Sequence, residues 1–401
     1  MLNLSLISSL FAVLWALSGL HAVQAQQEAT QPLNIMAYYV PEQPYEPGKL
    51  PLDKLTHIIY SFSRVIDGEM KFGDEEAGQK LQLLVDQKKN HPHLKVMLAC
   101  GGWGAGGFSD MAATAEGRKK FVQSTIAMIE KYQLDGIDID WEYPALDWAE
   151  IDAREIDTQT FTLLMKELRE KMDELDRPQL LTFASAGWKY YYEKIELDEV
   201  MKYADYMNVM TYDQVTATLP FTAHHTALGW IKEDDLKQYP FYEYITQQNA
   251  INQEDGRPAF EPRSVKSIVD FCLQRGVDPR QIVIGGAFYG RAWKGVPPES
   301  NGLYQPNTGT FIGWSAYHDI REKYENKNGY TRYWDEVAEA PFLYNPTDSI
   351  FFSYDDTVSV RLKTAYAIEQ DLGGIMFWEL GNDTKEENSL VDAIYAEKQE
   401  R

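Results

Sequence analysis

Cysteine is nearly missing from this 401-residue chain: Cys100 and Cys272 are the only two. Two cysteines so far apart do not staple a large fold, and no Cys/His cluster has the spacing of a structural zinc site. Cys100 falls in a strand-like run and Cys272 in a helix-like one, which predicts two buried thiols rather than a disulfide. Positive charge is also scarce. There are 38 Lys and Arg against 61 Asp and Glu, a formal net charge of −23. That balance argues against nucleic acid or an anionic membrane as a partner and suits a neutral or cationic ligand. No glycine-rich phosphate loop follows the first strand-like run. The sequence reads as having no internal repeat, no low-complexity linker and no appended C-terminal module. The first 25 residues contain no Lys, Arg, Asp or Glu. They form an apolar run ending in Val23-Gln24-Ala25. This reads as a signal peptide over residues 1–25 that lacks the usual basic start, so the mature chain is expected to be secreted, either extracellular or periplasmic.

Hydrophobic residues make up 44% of the chain, enough for a sizeable core. Short apolar runs at 33–40, 57–63, 95–100, 136–142, 180–186, 206–211, 282–288 and 375–381 read as eight strands. Between them, residues 75–90, 116–132, 158–175, 262–276 and 356–371 carry apolar side chains at helical spacing. Strands alternating with helices predict an α/β fold, a closed parallel (β/α)8 TIM barrel. Two stretches break the rhythm. Residues 214–261 are a long insertion after the sixth strand, and residues 294–348, rich in Tyr, Trp, Gly, Pro and Asn, follow the seventh. The second stretch reads as a small α+β insertion domain between strands seven and eight. Residues 26–293 and 349–401 would then form the barrel.

The run LDGIDIDWEYP, residues 134–144, holds Asp138, Asp140 and Glu142 two apart. Side chains alternate faces along a strand. The three acids then share one face, and Ile137, Ile139 and Trp141 share the other. The apolar set suits the helix layer, so the acids point into the barrel at the end where barrel enzymes do chemistry. Burying like charges together is costly, and neighbouring carboxyls raise one another's pKa. A magnesium site would fit such acids, but no nearby phosphate-binding element supports one. The pattern therefore predicts a protonated Glu142 as general acid, tuned by Asp140. Asp135 lies off this face and is expected to tie down the start of the strand. A glycosidase usually flanks its bond with two carboxylates. Asp213 and Glu379 are the only other candidates at strand ends, so either one of them is the nucleophile or the substrate supplies its own.

Asp135, Asp138, Asp140 and Glu142 match the D-x-x-D-x-D-x-E signature of glycoside hydrolase family 18, and DGIDIDWEYP resembles its chitinase form. KVMLACGGW (95–103), NVMTYD (208–213), GGAFYGR (285–291) and GGIMFWEL (373–380) are similar to further strand motifs of the family, in the same order. The resemblance covers nearly the whole mature chain. It implies a substrate-assisted reaction, an exception to the two-carboxylate rule. Glu142 protonates the leaving oxygen and the sugar's own acetamido oxygen attacks the anomeric carbon. Asp140 orients that acetamide and stabilises the oxazolinium ion, while Asp138 shares the proton. Tyr212 holds the acetamide oxygen. By the same resemblance, Met210, Asp213, Tyr289 and Arg291 contact the sugar in subsite −1 and Trp378 is its floor. Tyr38 and Phe62 lie beside and beneath the acids. Gly102 and Trp103 belong to the strand-three motif, with Trp103 stacking on the next sugar. His224 and His225 match a loop motif and read alone as structural. No metal or cofactor is implied. The expected partners are chitin and chitooligosaccharides, with the protein a monomer. Rival readings are an endo-β-N-acetylglucosaminidase on N-glycans and a non-catalytic chitin-binding lectin. Two positions depart from the family pattern. Ala99 stands where a serine usually serves Asp138, leaving that acid to lean more on Tyr38. No tryptophan follows TYD within QVTATLPF (214–221), so the product side is expected to be weaker or differently built.

Overall fold

Hydrogen bonding follows the expected strand order. The computed structural model describes residues 32–41, 44–255 and 257–401, so the signal-peptide expectation for residues 1–25 lies outside it. Strands β1 (Asn34–Tyr39), β2 (His57–Ile66), β4 (Lys95–Gly101), β5 (Gly136–Asp140), β6 (Leu180–Ala186), β7 (Tyr206–Met210), β8 (Ile282–Ala287) and β14 (Gly374–Trp378) pair in parallel. β1 bonds to both β2 and β14, which closes the barrel. A short β3 (Glu69–Lys71) folds back antiparallel on the end of β2. Among the described residues, no helix is long and apolar enough to cross a membrane.

The period-two pattern sorts the side chains as anticipated. Ile137 and Ile139 of β5 join the large core between strands and helices. Inside the barrel, Met36, Ile59, Met97, Ala99, Val283 and Met376 form a separate cluster. The helix layer includes α1 (Glu75–Val85), α2 (Ala115–Tyr132), α3 (Asp157–Met172), α4 (Pro240–Glu254), α5 (Val265–Gln274), α6 (Tyr317–Lys323), α7 (Thr357–Glu369) and α8 (Leu390–Glu400). α2 shows why these form. Thr114 caps it by accepting from the Gly117 amide, and Phe121, Val122, Thr125, Ile129 and Tyr132 make one buried stripe. Gly136 lets β5 sit close to β6: a Cβ there would lie 2.3 Å from the Leu180 carbonyl oxygen. Cys100 and Cys272 are both free and buried, as expected.

Three details differ from the sequence reading. β5 ends at Asp140, so Glu142 lies just past the strand, where the Glu142–Tyr143 peptide is cis. α1 ends at Val85 and continues as a 3-10 turn over Asp86–Lys89. The insertion at 214–261 contains a helix of its own, α4.

Beyond β8 the chain builds a second, antiparallel sheet in the order β10-β9-β13-β12-β11. Its strands are β9 (Tyr289–Lys294), β10 (Gly309–Ala316), β11 (Thr331–Asp335), β12 (Ala340–Asn345) and β13 (Ile350–Ser353), with α6 between β10 and β11. The expected 294–348 segment lies within this span. Trp293, Phe342 and Phe351 pack with Phe241 and Ile245 of α4 in a core of their own. The two insertions therefore support each other. At the junction, the Lys363 ammonium of α7 lies 2.6 Å from Asp355, both fully buried. The same carboxylate accepts from Thr226 and from the Ala287 amide.

Candidate active site

The site begins with three buried acids on one line. Asp138 is fully buried and ringed by donors. Thr182 donates to it at 2.5 Å, Tyr38 at 2.9 Å and Asn208 at 3.0 Å. Burial raises its pKa to about 6, and the three hydrogen bonds hold it from rising further. Asp140, one step toward the mouth, is treated differently. Its Oδ1 is buried and meets no hydrogen-bond donor among the described residues. Burial first, then the charges of Glu142 and Asp138, push its pKa well up, with Arg64 opposing. Glu142 is raised to about 7 by burial, against a favourable contact with the Tyr143 hydroxyl. Such neighbours titrate as a group. Near neutral pH the cluster therefore holds protons in place of full charge. Gly101 makes the line possible: with φ +122°, it comes so close to the Asp140 carbonyl that a Cβ would lie 1.9 Å from that oxygen.

A cleft of about 840 Å3 opens above these acids. Asp140, Glu142, Tyr38, Phe62, Trp103, Met210, Tyr212, Asp213, Tyr289, Arg291 and Trp378 all line it. Trp378 stacks on Phe62 with ring centres 5.5 Å apart. Asp138 lies below the lining, and Gly102 is the exception among the expected substrate-binding residues. It lies behind Phe62, where a Cβ would meet the ring at 2.9 Å, so it positions that ring and does not line the cleft.

Asp213 is not a free nucleophile. Arg291 binds its Oδ1 through Nε at 2.8 Å and Nη2 at 2.6 Å, and the Tyr289 hydroxyl donates at 2.7 Å. His225 Nδ1 stands 3.7 Å away, too far for a hydrogen bond, and burial lowers its pKa. Burial would raise Asp213, but these partners outweigh it and hold the carboxyl at about 2. Arg291 also donates through Nη1 to the Gly313 carbonyl, 2.6 Å away on β10. Glu379 takes another role: its Oε2 accepts from the Val40 amide at 3.2 Å and the Gly381 amide at 3.0 Å. Neither acid can serve as a second, loosely held carboxylate. Among the described residues, no group of His, Cys, Asp and Glu could hold a metal ion.

Residues 34–383 match the family described as Glycosyl hydrolases family 18. The chain belongs to that family. Chitinase A1 of Niallia circulans is 36% identical over 322 residues, covering 77% of this chain and 44% of that protein. The chain thus spans less than half of that relative's length. Chitinase B of Serratia marcescens is 29% identical over 383 residues, covering 84% of this chain and 75% of its own. Among solved structures, a glycoside hydrolase family 18 N-acetylglucosaminidase from Paenibacillus barengoltzii superposes with a TM-score of 0.77. It is 35% identical, covering 91% of this chain and 99% of that one. As a family 18 member, the chain is a glycosidase with the (β/α)8 barrel seen here.

Against the family pattern, Ala99 costs Asp138 less than expected. Thr182 and Asn208 supply the donors, so the acid does not depend on Tyr38 alone. Both lie on inward positions of β6 and β7, a signal present in the alternation of LLTFASA and YMNVMT. Asp135 behaves as expected: it accepts from the Val96 amide at 2.8 Å and pairs with Lys88. His224 bonds to Asp335 at 3.1 Å, linking its loop to β11. Several cleft residues escaped the sequence reading: Arg64, Tyr143, Trp148, Trp188, Arg263 and Trp314. Most stand in loops, where no periodicity marks a direction.

Proposed function

We propose that this glycosidase cleaves β-1,4 linkages between N-acetylglucosamine units of chitin or chitooligosaccharides, with the substrate's acetamido group as nucleophile. The observation carrying the reading is an Asp140 whose buried Oδ1 meets no donor among the described residues, beside a Glu142 held near neutral pKa, with Asp213, the other carboxylate of the cleft lining, tied to Arg291 and Tyr289. Glu142 protonates the glycosidic oxygen. The acetamido carbonyl oxygen of the sugar over Trp378 forms a bond to its own anomeric carbon as the bond to the leaving oxygen breaks. Asp140 accepts the acetamide N–H and stabilises the oxazolinium charge, and Tyr212 donates to the acetamide oxygen. Asp138 takes over the shared proton as Asp140 turns. Glu142, now ionised, removes a proton from water, which opens the ring with net retention. Burial matches this task, because a carboxyl poised near 7 serves as acid and then as base.

Export after removal of residues 1–25, a monomeric state and the 294–348 segment as a separate insertion domain belong to the same proposal. They rest on sequence. A second reading, release of single N-acetylglucosamine units, is favoured by the Paenibacillus barengoltzii neighbour, which the chain matches over nearly its full length. Chitohexaose hydrolysis followed by NMR and by product length separates the two. Retained β-anomer with mixed oligomers supports the chitinase. Monomer alone from the first minute supports the second reading. Initial α-anomer would sink the substrate-assisted mechanism.

A further inference from the structure

Strand order divides the cleft mouth into two arcs. Tyr38 lies near the end of β1, Phe62 lies in β2, Trp378 ends β14 and Tyr289 follows β8, so these form one arc. Trp103, Tyr143 and Trp188 follow β4, β5 and β6, which are consecutive neighbours in the barrel. Their rings touch in series: Trp103 to Tyr143 at 6.3 Å, Tyr143 to Trp188 at 5.3 Å, and Trp188 to Trp148 at 4.8 Å. Glu142 follows β5 beside Tyr143, on the side of the second arc. If the reacting sugar lies over Trp378, the group that Glu142 protonates leaves toward the second arc.

One cation overlooks that arc. The Arg263 guanidinium sits 4.9 Å above the Trp188 ring and lines the cleft. Its one hydrogen bond to protein among the described residues is long, 3.4 Å to the Gln214 carbonyl. It has no ion pair there, although most cations of this acidic chain do. The nearest acid in sequence, Glu261, is engaged by Lys189 instead. Burial pulls the Arg263 pKa down to about 10, against Tyr143 and Glu261, which act the other way. A guanidinium has five donors in a fixed fork. Most of those on Arg263 are left for a ligand, on a flat aromatic platform suited to a sugar face.

We infer that Arg263, seated on Trp188, is a specificity-determining residue that binds the oxygen acceptors of the departing N-acetylated sugar. This inference rests on the functional reading above. It also accounts for the missing tryptophan after TYD: the product-side platform is built from the loops after β5 and β6, with the arginine on top.

The test compares two substrates in the full chain. Chitotetraose places a sugar on the second arc, whereas a 4-nitrophenyl chitobioside can place only an aryl group there. The readout is the ratio of kcat/KM for the first to that for the second, in wild type, Arg263→Ala, Arg263→Lys and Trp188→Ala. A charge-assisted hydrogen bond lost with Arg263→Ala lowers the ratio by about tenfold, carried in KM. Trp188→Ala lowers it similarly, and Arg263→Lys recovers part. Aryl turnover in each variant shows that it has folded. A ratio within twofold of wild type in both alanine variants overturns the inference while leaving the chitinase reading intact. Wild-type protein that cuts neither substrate overturns the functional reading, and the inference falls with it.

Discussion

Replacing Glu142 by glutamine should make the protein more stable, but only where the carboxyl would be ionised. Burial raises Glu142 from an ordinary 4.5 to about 7. Between those values the folded chain binds more protons than the unfolded one, so stability falls as pH rises. Each tenfold in proton affinity is worth about 1.4 kcal/mol, so the penalty reaches about 3 kcal/mol above pH 7 and vanishes below pH 4.5. Glutamine has no such proton to lose. Urea unfolding at pH 4.5, 6 and 8 should therefore show Glu142→Gln and wild type converging at the lowest pH. At the highest they should separate by up to ~3 kcal/mol, less where Asp140 absorbs part of the titration. Over the same series the variant should turn over chitooligosaccharides at least a hundredfold more slowly. Equal unfolding midpoints for the two proteins at pH 8 would refute the view that burial sets the Glu142 proton affinity.

Three further tests probe separate parts of the structure. Thr182→Val removes the shortest donor to Asp138, so its pKa should climb above the present value near 6. The acidic limb of the pH–rate profile should then move up by about one pH unit. Lys363→Met leaves Asp355 buried without its cation and should cost about 3–5 kcal/mol in chemical denaturation, with a smaller loss when Asp355→Asn is added. Trp103 is 63% exposed. Trp103→Ala should change stability by less than about 0.5 kcal/mol. Calorimetry in the Glu142→Gln background should show roughly fivefold weaker oligosaccharide binding.

The barrel was legible because short apolar runs alternate with stretches of helical spacing, and the acids stood out because three of them take the inward positions of one such run. The end of β5 was misjudged by two residues: Trp141 and Glu142 keep the strand's alternation in sequence after the backbone has left the sheet. Thr182 and Asn208 were readable in principle, since each occupies an inward position on a strand already recognised. Trp148, Trp188 and Arg263 were not. Trp188 follows β6 and meets Arg263 from 75 positions further along the chain, a contact that depends on how the barrel closes. The locked state of Asp213 was hidden for the same reason. An aspartate after TYD looks available until Arg291 and Tyr289 are seen to hold it.

The two-way grip of Arg291 limits how this protein can be re-engineered. One guanidinium holds Asp213 at the end of β7 and the Gly313 carbonyl on β10. Trp314, the next residue, rests on Tyr289 with ring centres 6.0 Å apart. A graft of the second sheet from a related chitinase would therefore be no neutral change of a cleft wall. The donor segment must present a carbonyl at the same place, or Arg291 will settle elsewhere and take the set of the Asp213 carboxylate with it. Chimeras cut outside Tyr289–Ser353, carrying their own arginine, should keep their turnover better than those cut inside it.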